Sequence, residues 1–250
     1  MPGLRLHLTA ARQLVLDMGA PLIEDNRGAF YLGATTPDIR ALTRWDRERT
    51  HFFRLDDFQD QSGVHRLFEQ EPALRDGRSL DAATAAFMAG YISHLVMDED
   101  YICQIYRPLF GERSVLSGDT MADVMDKALQ WDIERADPER ETTAEEIRRA
   151  LAETAVEMEV SFIGREMLEQ WRDISVDVIA QPPTIERFVR FVGRRMPQVQ
   201  FDDEAATARF AEEVPELLRR TWEHVGEERV REYLDGTKAR ARNAIREYLS

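Results

Sequence analysis

The sequence predicts an all-α protein. Three observations carry that reading. Apolar residues recur at helical spacing in the N-terminal segment and again between Ser79 and Gly111, cap and stop residues bracket those runs, and no stretch has a strand pattern that stands out.

In chain order, Leu4, His7, Ala11, Leu14 and Met18 share one stripe, with Ala10 and Val15 beside it and Arg5, Arg12 and Asp17 elsewhere. The first helix is therefore amphipathic and turns His7 inward. Gly19 and Pro21 end it, and the chain to Asp38 reads as irregular, with a short helix from about Ile23 to Phe30. Asp38 directly follows Pro37 and is expected to cap a short helix through Leu42. Ser79 is the expected cap of a long helix reaching about Gly111, and Gly111 and Gly118 bracket the loop after it. Helices should then run from Asp119 to Arg135 and from Thr143 to Val178, the second opened by a Thr143/Glu146 capping box. Pro182 and Pro183 turn the chain into a helix from Thr184 to Arg195, which Pro197 stops. From Asp203 to Ser250 charges alternate around Phe210, Val214, Leu217, Leu218 and Trp222, with Pro215 expected to kink the tail and Gly236 to split it.

The chain has five histidines, and three of them, His7, His51 and His94, combine with Asp38 and Asp98 into a metal-ligand alphabet. On the Ser79 to Gly111 helix the stripe Ala83, Phe87, Gly90, His94 and Asp98 begins with apolar or small residues, so its last two members should also face inward. A buried carboxylate costs several kcal/mol, roughly, unless it is paired or bound to a metal, so Asp98 needs a partner. A core His–Asp hydrogen bond meets that need as well as a metal does, and the His-x-x-x-Asp spacing recurs by chance. His7 alone reads as a hydrogen-bonded core residue; only the company of the other residues raises it to a ligand.

The order of His7 on an opening helix, Gly33-Ala34-Thr35-Thr36-Pro37-Asp38, Thr50-His51-Phe52-Phe53, and Ala86 through His94 to Asp98 resembles the zinc-dependent phospholipase C family, relatives of the single-strand-specific zinc nucleases. The resemblance covers roughly the first 110 residues. It implies an all-α multi-helix bundle of that type, in which Asp38, His51, His94 and Asp98 ligate one zinc and His7 marks a neighbouring position that Asp98 bridges. It also implies that Asp38 doubles as the catalytic base. In the family the opening position uses the amino terminus of a processed chain that begins with Trp, whereas this sequence begins Met1-Pro2-Gly3. The remaining zinc of the family uses a His six residues after the helical Asp and a later His with a Glu four residues beyond it. Here Gln104 stands first, and no histidine lies between His94 and His224, so that site does not form as the family builds it. One or two Zn²⁺ ions are expected. Zinc suits these imidazoles and carboxylates and lowers the pKa of a bound water to about 7.

Other chemistries lack their residues. There is no His-Asp dipeptide, no Glu three residues before His94 or His224, no glycine-rich phosphate loop and no Gly-x-Ser-x-Gly elbow. Lys plus Arg number 33 against 47 Asp plus Glu, a net charge of -14 that repels nucleic acid and anionic membranes. The single Cys103 forbids an internal disulfide and reads as buried and inert. His65 and His224 lie among charges and read as solvated. Arg27, Arg40 and Arg44 flank the Asp38 segment, where a phosphate contact competes with plain surface pairing. No signal peptide or membrane span is evident, so the expected location is cytoplasmic, without integral membrane association. The expected organisation is one helical domain over 1–250, with a metal-site half over 1–110, further helices over 111–250 and a break near 180–184. The expected function is a zinc-dependent hydrolase of a phosphoester, a phospholipid headgroup or a small phosphodiester. The alternative is a non-catalytic helical protein with a structural metal site.

Overall fold

The computed structural model describes residues 2–136, 139–196, 199, 201 and 203–250, and all regular structure among them is helical. Helix α1 (Leu4–Met18) forms as its stripe requires and stops at Gly19, whose φ of 53° suits a residue without a Cβ. The stretch to Asp38 is helical rather than irregular: α2 (Pro21–Asp25) and α3 (Arg27–Thr35) fill it, and a 3-10 turn (Thr36–Ile39) leads to α4 (Arg40–Thr43). Helix α3 is buried from Gly28 to Thr35, so it has no polar face to give it a legible period. Asp38 sits inside the 3-10 turn and caps nothing. Two short helices follow, α5 (Glu48–His51) and α6 (Gly63–Gln70), the second capped by Ser62.

The motif helix α7 (Ala82–Tyr101) is capped by Asp81, whose carboxylate accepts from Thr84 N at 2.9 Å, while Ser79 closes a separate 3-10 turn. At Ile102–Tyr106 it widens into π-helical turns and ends in the short α8 (Arg107–Leu109), instead of running as one α-helix to Gly111. The wider turns rotate the residues after Tyr101 off the 3.6-residue count. Cys103 is consequently exposed, not buried, with Arg107 Nη1 3.8 Å from its sulfur.

Helix α9 (Ala122–Arg135) lies close to its expected span, but the expected Thr143 to Val178 helix is two, α10 (Arg140–Glu153) and α11 (Arg165–Ala180). Between them Val156, Met158 and Val160 are buried and Ala155, Glu157 and Glu159 exposed, so this run packs as extended chain with a period of two. Thr143 is interior to α10, and Glu146 accepts from Arg12 Nε at 2.6 Å, so the capping box does not form. Thr184 caps α12 (Ile185–Arg195) as expected; Pro197 lies outside the described residues. Helix α13 (Glu204–Val225) runs through Pro215, and the break before α14 (Glu227–Leu249) falls at Gly226, φ 82°, leaving Gly236 inside a helix. His65 is exposed, whereas His224 is partly buried with Nε2 2.8 Å from Leu109 O.

The chain divides into two compact units. The larger comprises Pro2–Asp100, Glu139–Gln181 and Asp235–Ser250, where α1, α3, α10 and α11 pack together around Leu8, Phe30, Leu32, Phe87, Leu151, Leu168 and Trp171. The smaller comprises Tyr101–Pro138 and Pro182–Leu234, where α9, α12 and α13 pack together and Val124, Leu129, Val192 and Val214 are buried. In the larger unit α3 and α7 touch backbone to backbone. A Cβ at Gly33 would overlap the Phe87 carbonyl, and one at Gly90 would overlap that of Phe30. Among the described residues no helix is long and apolar enough to cross a membrane.

Candidate metal centre

The glycine contact sets the first ligand candidate in place. With α3 and α7 this close, the Ala34 carbonyl reaches His94 Nδ1 at 2.8 Å, one helical turn beyond Gly90. A carbonyl oxygen only accepts, so Nδ1 carries the hydrogen and the Nε2 of the neutral ring presents a lone pair. Neutrality is enforced: burial first, and the His7 ring next, lower the His94 pKa to about 3 against the pull of Asp98 and Asp38.

That Nε2 faces His51 Nε2 at 3.4 Å. His51 is the last residue of α5, its Nδ1 lying 3.1 Å from Thr50 Oγ1, and the Thr50 carbonyl accepts from the Tyr91 hydroxyl of α7. The same His51 Nε2 lies 3.5 Å from Asp38 Oδ1 and 3.2 Å from Asp98 Oδ2. Asp98 Oδ2 is 3.9 Å from His94 Nε2, and Asp98 Oδ1 is 3.4 Å from His7 Nε2. The His7 ring stacks on His94 with centroids 3.7 Å apart and planes 13° off parallel. All five predicted residues therefore meet, around two triplets whose ligand atoms lie within 4.8 Å of one another: Asp38, His51, His94, and His7, His94, Asp98.

The atoms fit a metal ion. Asp98 Oδ2 already accepts from Arg47 Nη2, and at most one hydrogen, on His51 Nε2, is left for Asp38 Oδ1 and His94 Nε2. Neither nitrogen of His7 nor Oδ1 of Asp98, all buried, has a hydrogen-bond partner among the described residues. Buried acceptors in excess of donors are costly, and a cation satisfies them together. Tetrahedral zinc with bonds of about 2.0–2.1 Å separates its ligand atoms by about 3.4 Å, which matches the spacings around His51. The two triplets share the single free nitrogen of His94, so this ring serves one position at a time.

Electrostatics keep the carboxylates ionised. Burial alone would raise Asp98, but the Arg47 charge first, with His51, His7 and His94 close by, holds it well below the usual carboxylate range. Burial likewise opposes ionisation of Asp38, and His51 and His94 outweigh it. The Asp38 side chain is 24% exposed and that of His51 1%, so solvent meets the cluster at Asp38.

Sequence reasoning missed Arg47. It is 9% exposed and donates from Nη2 to Asp98 Oδ2 at 2.7 Å, making it the cationic partner that a buried Asp98 demands. Arg27 and Arg44 are exposed, and Arg40 reaches the Trp45 carbonyl instead. The burial cost of Asp98 is the signal that points to a cation, but five arginines fall from Arg40 to Arg54 with no period to select among them. Gln104, in the π-helical stretch, is partly buried.

Residues 6–99 of the chain match the family described as zinc dependent phospholipase C. No curated protein and no solved structure matches the chain.

Proposed function

We propose that the chain, whose residues 6–99 match the zinc dependent phospholipase C family and hold a reduced metal site, hydrolyses phosphoesters at the cluster of Asp38, His51 and His94. Family and cluster support a zinc-dependent hydrolase in general; the finer reading is a small phosphodiester or a phospholipid headgroup as substrate. The observation that carries it is the pair of Nε2 atoms 3.4 Å apart beside Asp38, with fewer hydrogens than acceptors.

When bound, zinc supplies a Lewis acid that polarises a phosphoryl oxygen. His51, His94 and Asp38 would hold it, with Asp98 as a further oxygen donor. The Ala34 carbonyl keeps His94 in the tautomer that leaves Nε2 open, and Arg47 fixes Asp98. Asp38, at the exposed edge, orients an incoming water and accepts its proton.

A closed structural site is the second reading, and the absence of a histidine at Gln104 favours it. Against it, the triplet around His51 has three members, as in centres that keep a position open, and Arg47 already occupies one oxygen of Asp98. The test is hydrolysis of a panel of phosphomonoesters, phosphodiesters and phosphocholine lipids by zinc-loaded protein. Turnover of a phosphodiester above that of zinc-free protein is expected. No turnover on any member, with zinc tightly bound, would leave the structural reading.

A further inference from the structure

Arg47 holds more hydrogen-bonding capacity than the fold uses. Its Nη2 is spent on Asp98, but among the described residues the buried Nε and Nη1 have no acceptor, and the side chain is 9% exposed. An ordinary counter-ion would turn its surplus donors to water or to a carbonyl. Two charged N–H groups left bare beside the cluster are costly unless an acceptor arrives in the working state. The neighbouring acceptors do not fill that need: the carboxylate of Asp98 takes Nη2 alone, and Asp38 is engaged by His51.

We infer that Arg47 forms a phosphoryl-binding subsite, its Nε and Nη1 hydrogens taking non-bridging oxygens of the substrate. The inference rests on the phosphoesterase reading for its substrate class, and it deepens that reading. Guanidinium is the side chain suited to the job, being permanently charged, planar and able to hold two oxygens in fixed directions. It also supplies what the missing histidine at Gln104 denies the chain, a second positive group on the phosphoryl oxygens. Asp98 then links both charges: one of its oxygens anchors Arg47 and also lies 3.2 Å from His51 Nε2. Free phosphate and a phosphoester present the same oxygens, so either should be bound; hydrolysis separates them.

The probe is inorganic phosphate, titrated calorimetrically into zinc-loaded wild type, Arg47→Lys, Arg47→Met and the exposed control Arg44→Met, with zinc content and thermal unfolding measured on each. Arg47→Lys and Arg47→Met should weaken phosphate binding by roughly 10- to 100-fold, the range for lost charge-assisted hydrogen bonds, with zinc content unchanged. Arg44→Met should bind phosphate as wild type does. Phosphate affinity unchanged in Arg47→Lys would overturn the subsite, and so would a loss that tracks loss of zinc, which would reduce Arg47 to a counter-ion of Asp98. If Arg47→Met does not fold, the lysine variant decides. Phosphate binding that needs Arg47 in a protein inert towards every ester removes the proposed activity and leaves the subsite. Hydrolysis with wild-type KM in Arg47→Lys removes the subsite and leaves the activity.

Discussion

His51 and His94 point their Nε2 atoms at one another across 3.4 Å, with one hydrogen at most among these two nitrogens and the Asp38 oxygen beside them. Metal uptake must displace that hydrogen, because a ligating nitrogen offers a lone pair. In a neutral ring that hydrogen passes to Nδ1, beside Thr50 Oγ1 at 3.1 Å, so His51 can free Nε2 without losing its place. His51→Ala should therefore lose zinc while the helical fold stays intact; metal content after dialysis measures it, and full zinc retention in the variant would take His51 out of the centre.

Stoichiometry follows from His94 having a single open nitrogen. Protein dialysed against metal-free buffer should retain about one zinc ion per chain, and chelation should lower its melting temperature by mass action. Three retained ions would mean that carboxylates elsewhere assemble a site. No retained ion, together with an unaltered melting temperature after chelation, would leave a plain core cluster of histidines and carboxylates.

Asp38→Asn should remove hydrolysis by roughly 10²- to 10⁴-fold, the usual worth of a positioned base, while the helical circular dichroism stays intact. The amide cannot take the proton, and its site is the exposed edge of the cluster, so little packing is disturbed. Wild-type turnover in this variant would take Asp38 out of the reaction.

The pH dependence of the zinc-free protein has a definite sign. His94 ionises near 3 in the fold against an ordinary 6.5, so between these values the unfolded chain binds a proton that the folded one refuses. Its contribution is complete above 6.5 and drains away as the pH falls towards 3. Asp98, held below its ordinary 3.8, withdraws further stability below that value. Urea midpoints should fall steadily from about pH 7 to about pH 4.5. A flat profile would contradict a buried neutral His94.

The two kinds of helical glycine should respond in opposite senses. Gly90→Ala overlaps the Phe30 carbonyl and should cost at least about 1–3 kcal/mol as the helices are forced apart. Gly236→Ala, inside α14 with no atom within 4 Å of the new Cβ, should stabilise by roughly 0.5–1 kcal/mol. Denaturant unfolding compares them, and equal midpoints would show that α3 and α7 are not in backbone contact.

What the sequence made legible was periodic. His7, His94 and Asp98 were read from stripes on α1 and α7 that the fold keeps, and Asp38 and His51 from their place in an ordered series of motifs. Features without a period escaped. Arg47 acts from a turn, α3 has no polar face, and Cys103 sits where π-helical turns break the count. The run from Val156 to Val160 alternates with a strand's period but pairs with no strand among the described residues, so its charged residues pass for a helix surface.

The hydrogen bond from His94 to Ala34 ties the ring to a second duty. Ala34 lies in the last turn of α3, where carbonyls have no partner within the helix, and the imidazole supplies one. His94 therefore belongs to the scaffold as much as to the centre. A descendant that gave up metal chemistry would still be held to histidine at this position, because losing the ring strands a buried helix end. Asp38 has no such tenure: among the described residues its side chain pairs with His51, and it sits at the open edge. Divergence among relatives should accordingly register first at Asp38, and the residue there, not the histidine on α7, marks which of them remain enzymes.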